Sequence, residues 1–237
     1  LGGFDASAID PLASVFREQG FVPVMAGTSV LAPRMAQAAG NAAAVQPLRP
    51  GDPVGVSLMS GDLQMGATGT VTEIAGDRVY AFGHPFYGLG PTQFPMTRAH
   101  VLTVLPSLAN SSKITSTGDV IGVFEQDRAT TIAGTLGPGP ELIPVHISLT
   151  SERGIEETFD MAMVSDRLFT PTLAYLSILS TLSSYERQNG VASYTIRGTA
   201  ALKGRGGVDF ENLFTGDQPS LGAAAYIVSP INVLLRN

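Results

Sequence analysis

The chain has 237 residues, 44% of them apolar and only 14% charged, with no cysteine and a net charge of −6. That length suits one large or two small domains around a buried core, and the apolar share excludes a disordered chain. The missing cysteines exclude disulfides, thiolate metal sites and a cysteine nucleophile. The acidic balance, with no basic stripe, argues against nucleic acid or an anionic membrane as partner.

Asp10-Pro11 predicts a short helix, with Asp10 as N-cap, Pro11 in the first turn, Leu12, Val15 and Phe16 on one face and Gly20 at its end. Phe21 to Met25 reads as a strand. Residues 26–50 are rich in Ala, Gly and Pro and read as a linker or covering loop, with a weak helix signal at Pro33 to Ala39.

From Pro53 to Val164 the pattern is β. Strands are predicted at Val54–Leu58, Val71–Ile74, Val79–Phe82, Val101–Leu105, Val120–Phe124, Thr130–Thr135, Leu142–Leu149 and Ile155–Val164. Ala75-Gly76-Asp77-Arg78 and Glu152-Arg153-Gly154 are the turns of two hairpins. The 27 glycines and 16 prolines fit many short strands joined by turns, hence a closed or sandwiched β domain.

Thr170-Pro171 then opens the strongest helix, with Leu173, Leu176, Leu179 (or Ile178), Leu182 and Tyr185 at three- and four-residue intervals and Asn189-Gly190 as its stop. Ala192 to Leu202 returns to strand. Leu221 to Leu235 reads as helix, kinked or restarted at Pro230. No internal repeat is present, and no apolar run of about eighteen residues predicts a membrane span. The chain begins at Leu1 without methionine or a basic-then-apolar leader, which reads as a cut or processed piece of a longer protein.

The residue pattern that carries chemistry is Phe82-Gly83-His84-Pro85. Gly83 leaves room beside the imidazole and Pro85 stops the strand, which presents a histidine at a strand end as a general base or as a structural hydrogen-bonding group. His100 and His146 lie in alternating segments and read as satisfied or solvent-facing. With three histidines so scattered, no metal-ligand spacing exists. Gly61-Asp62 and Gly76-Asp77 read as turns. Asp127-Arg128 reads as an ion pair or as a group that orients His84. The glycines of Gly83 to Gly90 lack the following lysine and helix of a nucleotide-binding loop.

Gly69-Thr70-Val71-Thr72, the turn, and Tyr80-Ala81-Phe82-Gly83-His84-Pro85 resemble the histidine-bearing hairpin of SpoIVB-type serine peptidases. Gly118 to Asp127, followed by Thr131 to Leu136, is similar to that family's next block. Glu157 to Val164 with Ser165-Asp166-Arg167-Leu168 is similar to its strand-then-Asp segment. The similarity covers residues 51–170, and the hairpin is its most specific part.

The resemblance implies a mostly β (α+β) chain whose residues 51–165 form a chymotrypsin-like β-barrel or barrel pair. Residues 1–50 would be a helix, strand and linker, the tail of an upstream region, and residues 166–237 a C-terminal helical and strand extension packed on the β domain. It also implies a triad in which His84 matches the base and Asp166 the aspartate that orients it. The family's nucleophile sits in Gly-Met-Ser-Gly-Ser-Pro, and this chain contains no such motif. Three accounts follow. The serine lies upstream of Leu1 in a permuted order, the account the resemblance favours. It is local, with Ser60 or the Ser111-Ser112-Lys113 cluster as candidates. Or the chain kept the fold and lost the chemistry. The expected function is therefore a serine-endopeptidase-like domain carrying His84, inactive by itself, without cofactor or metal. It would act on a protein or peptide substrate in the bacterial cell envelope or outside the cell, in association with an upstream part of the same precursor. The alternative is a catalytically inactive interaction or scaffold domain of the same fold.

Overall fold

Asp5 opens a short helix that the sequence does not predict, ahead of the expected one. Its carboxylate accepts the Ser7 N–H at 2.9 Å and caps Ala6–Ile9 (α1), which leaves Asp10 in helical geometry at the C-cap instead of the N-cap. Ala13–Glu18 (α2) follows. The computed structural model describes residues 1–10, 13–18, 23–25, 47–106, 108, 112–152, 154–185 and 191–236. The helix signal at Pro33 to Ala39, the stops at Gly20 and Asn189-Gly190, and Phe21 lie outside these residues. Residues 23–25 are described and carry no strand pairing.

Eight strands form one antiparallel sheet: Pro53–Gly61 (β1), Met65–Ala75 (β2), Arg78–Ala81 (β3), Gly90–Leu105 (β4), Ser112–Arg128 (β5), Thr131–Leu136 (β6), Ile143–Thr150 (β7) and Glu156–Met163 (β8). Their order is β2-β3-β6-β5-β4-β1-β8-β7, and β1 also pairs with β2. Six strands therefore close into a ring, β1-β2-β3-β6-β5-β4 and back to β1. Closure is possible because β1 uses each edge separately. One edge pairs with β2 from Pro53 to Met59; the other pairs with β4 over Val54–Val56 and then with β8 over Met59–Gly61. Four register shifts between β4 and β5 supply the bending that a closing sheet needs.

The β2–β3 turn is as the sequence predicts. Ala75 faces Arg78, leaving Gly76-Asp77 as a two-residue loop with Gly76 at φ +66°, the position where a tight hairpin turn favours glycine. The turn between β7 and β8 likewise has Gly154 at φ +78°. β4 and β5 run 16 and 17 residues, far beyond the predicted Val101–Leu105 and Val120–Phe124.

Inward-facing Val54, Val56, Val71, Val79, Phe94, Met96, Phe124 and Ile132 fill the ring. Phe169–Tyr185 (α3) lays Leu173 and Leu176, both fully buried, against that core, and meets α1 through Leu179 and Ala8. Ala192–Leu202 (β9) pairs with Gly206–Gly216 (β10), a strand absent from the sequence reading, in a separate two-stranded sheet. Pro219–Arg236 (α4) runs through Pro230 without a restart and packs Tyr226 against Phe210 and Phe214 of that hairpin. The chain is mostly β, with its helices beside the sheets. Among the described residues no helix is long and apolar enough to cross a membrane.

Candidate functional site

β3 ends at Ala81, and the chain then enters a loop under strain. Phe82 has φ +76°, the one described non-glycine residue in the left-handed region, which costs an L-residue about 1–3 kcal/mol. Three contacts hold it there. Its N–H donates to Thr70 O at 2.9 Å, and its ring meets Phe86 and Phe124 edge to face at 6.2 and 6.4 Å. The same ring lies over Gly69, where a Cβ would come within 2.6 Å of Phe82 Cδ2. Strain fixed this firmly is a mark of functional loops, and it stands two residues before His84.

His84 is exposed, in the loop just past the end of β3. Its ring stands edge-on to Phe82 at 5.7 Å, and Nδ1 lies 2.7 Å from Pro85 O. A carbonyl only accepts, so Nδ1 is the donor, and in the neutral ring the lone pair is on Nε2. Among the described residues no carboxylate forms an ion pair with this imidazole.

Asp127, near the end of β5, holds the rest of the loop. It is 2% exposed, and it accepts the N–H groups of Phe86 at 2.7 Å, Tyr87 at 2.8 Å and Leu89 at 3.0 Å. Three such charge-assisted bonds satisfy the buried carboxylate in place of a cation. Of the two roles the sequence left open, an ion pair with Arg128 is not seen among the described residues, and Arg128 Nε donates to Gln126 Oε1 at 2.9 Å. Beneath the loop, Phe86, Tyr87, Phe94 and Phe169 form one aromatic cluster, with Tyr87 and Phe169 at 5.0 Å and Phe86 and Phe169 at 5.9 Å. Burial pushes the Tyr87 phenol above its ordinary pKa.

Through Phe169 the cluster brings the start of α3 to the histidine loop, yet the Asp166 carboxylate caps that helix. Its Oδ1 accepts Leu168 N–H at 2.8 Å and Phe169 N–H at 3.0 Å. Its own N–H donates to Thr170 Oγ1 at 2.7 Å, and that hydroxyl donates to Val164 O at 2.7 Å. Among the described residues Asp166 and His84 share no hydrogen bond or ion pair. Ser60 is exposed on β1, opposite Ala162. Ser112 opens β5 fifteen positions before Asp127, roughly 50 Å of strand at about 3.3 Å per residue. Ser111 lies outside the described residues.

An open depression of about 470 Å³, lined by Arg78, Pro91, Thr92, Gln93, Glu125, Gln126 and Ser165, lies next in sequence to both Asp127 and Asp166. Within it Arg78 Nη1 and Thr135 Oγ1 both donate to Glu125 Oε2, at 3.1 and 2.9 Å, so its charges are internally paired. The β7–β8 hairpin carries a second histidine network. His146 Nδ1 meets Asp160 Oδ1 at 2.7 Å, and Nε2 meets Ser148 Oγ at 3.1 Å. Its connectivity is that of a triad, but His146 and Asp160 are 61% and 65% exposed, and solvent screens both contacts. Among the described residues no three His, Asp or Glu side chains are grouped to hold a metal ion.

Sequence reasoning named His84 and left Asp127 between two roles. The missing signal was spatial, because the amides that Asp127 binds are 38 to 41 positions away. No family model matches this chain, and no curated protein and no solved structure matches it either.

Proposed function

We propose that this chain is the base-bearing part of a serine endopeptidase of the SpoIVB type, with the nucleophilic serine supplied by another segment of a longer precursor that acts in the bacterial cell envelope or outside the cell. The observation that carries the reading is the placement of His84: Nδ1 is held by Pro85 O on an exposed ring, which in the neutral imidazole leaves the lone pair on Nε2. The strained Phe82 and the anchored loop give that ring a fixed bearing. The closed antiparallel ring, with the histidine just past β3, supports the barrel that the resemblance implies.

In the reaction Nε2 takes the proton of the serine Oγ as that oxygen adds to the scissile carbonyl carbon. The C–N bond then breaks as the proton passes from Nε2 to the leaving amine. Water, deprotonated by the same nitrogen, hydrolyses the acyl-enzyme. A biotinylated fluorophosphonate tests this. The precursor extended beyond Leu1 should take the label on a serine outside these 237 residues and lose it in His84→Gln, and the 237-residue chain should take none. Labelling that persists in His84→Gln refutes the assignment.

A second reading, a non-catalytic interaction domain of the same fold, is favoured by the exposed apolar end of the β4–β5 ribbon. There Val101, Leu102, Val104, Leu105 and Leu108 face solvent. A folded precursor that resists the fluorophosphonate altogether supports it.

A further inference from the structure

His84 and Asp127 bind opposite ends of one peptide group. His84 Nδ1–H donates to Pro85 O at 2.7 Å, and the N–H of the same peptide bond, that of Phe86, donates to Asp127 Oδ1 at 2.7 Å. The described chain has no cis peptide bond, so this C=O and N–H point in opposite directions. Carboxylate, peptide dipole and imidazole thus stand in series.

We propose that Asp127 positions and polarises the His84 base through the Pro85–Phe86 peptide. The role is that of a triad aspartate with one peptide group inserted between carboxylate and ring. A negative charge at the N–H end of a peptide draws the amide proton and builds negative charge on the carbonyl oxygen. That oxygen then becomes the stronger acceptor for Nδ1–H, and the two bonds reinforce each other. The proton stays on Nδ1 and the lone pair stays on Nε2, the nitrogen that faces a substrate. Burial of Asp127 keeps water from screening the effect.

The second carboxylate oxygen adds orientation. Oδ2 takes the Tyr87 and Leu89 amides, so the chain following the relaying peptide is gripped and the peptide plane cannot rotate. On the other side, Phe82 and its contacts fix where the loop leaves β3. A carboxylate that merely stapled the loop would leave the strength of the Nδ1–H···O bond to the carbonyl alone; a carboxylate acting through the peptide strengthens it.

The consequence for catalysis rests on the reading of His84 as a base, but the relay is tested on the ring itself. In the 237-residue chain labelled with ¹⁵N, the nitrogen shifts of neutral His84 should report Nδ1 protonated and Nε2 bare. The Phe86 amide proton should lie downfield, as a bond to a buried carboxylate requires. Asp127→Asn, which removes the charge and leaves one acceptor oxygen for the three loop amides, should shift the ring to a mixture of the two tautomers and move the Phe86 amide upfield. Asp127→Glu, which keeps the charge, should retain the Nδ1-protonated form. A wild-type ring protonated on Nε2 overturns the proposal. So does a folded Asp127→Asn protein whose tautomer and Phe86 amide are unchanged. Should Asp127→Asn not fold, Asp127→Glu decides: the relay stands if Nδ1 stays protonated and falls if it does not. A precursor that never labels counts against the peptidase reading and leaves the relay untouched.

Discussion

Gly69→Ala is the most informative single substitution, because the structure fixes the sign of its effect. An alanine in the interior of a strand is ordinarily more favourable than a glycine by roughly 0.5–1 kcal/mol. At Gly69 the added Cβ would meet three atoms of the Phe82 ring at 2.6, 2.7 and 2.8 Å, closer than real Cβ contacts come. The ring has little freedom to retreat. Phe82 is at φ +76°, its N–H is bonded to Thr70 O, and Phe86 and Phe124 stand at its edges. Overpacking of this kind costs about 1–3 kcal/mol, so the net expectation is a loss of up to about 2.5 kcal/mol. For a chain of this length, that is a fall in Tm of up to roughly 10 °C. Urea unfolding should show a lower midpoint at unchanged slope. In a Phe82→Ala background the obstruction is gone, and the same substitution should be neutral or stabilising. The cycle should then give a coupling of about 1 kcal/mol or more. A Gly69→Ala protein more stable than the parent would refute the claim that Gly69 exists to seat the Phe82 ring, and with it this account of how the histidine loop is held.

Asp166→Ala should cost about 0.5–2 kcal/mol in urea unfolding through loss of the α3 cap, while the His84 tautomer stays as it was. A changed tautomer would return Asp166 to the base. The Tyr87 phenol, raised by burial, should ionise above the ordinary tyrosine range in an absorbance titration, and Tyr87→Phe should remove that step. Its folded pKa lies above the unfolded one, so its contribution to stability is complete below the ordinary tyrosine range. That contribution is lost as pH rises through the folded value, and the pH dependence of unfolding should weaken there in Tyr87→Phe. His146→Ala should change stability by no more than about 1 kcal/mol, because the His146–Asp160 pair is solvent-exposed; a larger loss in urea unfolding would mean the hairpin network is structural.

What the sequence revealed is what is local. Gly76-Asp77 between two alternating runs fixed the β2–β3 hairpin, and the leucine spacing after Thr170-Pro171 fixed α3, because each pattern is set by neighbours within a few residues. β4 extends well before the predicted Val101–Leu105, through two prolines, Pro91 and Pro95, that a strand interior disfavours. Both lie within the strand, and register shifts beside Pro91 and after Met96 accommodate them. β10 begins among the glycines Gly204, Gly206 and Gly207 and lies largely exposed with one partner strand, so although Val208-Asp209-Phe210-Glu211 alternates, no buried face marks it in the sequence. At the site, the imidazole was legible from Gly83-His84-Pro85. The peptide that joins it to Asp127 was not, since no periodicity encodes a bond between a loop amide and a carboxylate 41 residues later.

The double use of β1 also governs the order in which the molecule can be assembled. Its far end pairs with Met163 through Met59, a separation of 104 positions (163 − 59), while its near end finds β2 within about twenty residues. During synthesis at about 5–20 residues per second, Met59, Ser60 and Gly61 would wait roughly 5–20 s for the strand that covers them. For that interval the nascent chain exposes an unpaired edge beside an apolar run. A chaperone, or any segment that emerges earlier from the ribosome, has its opportunity at that edge and in that window.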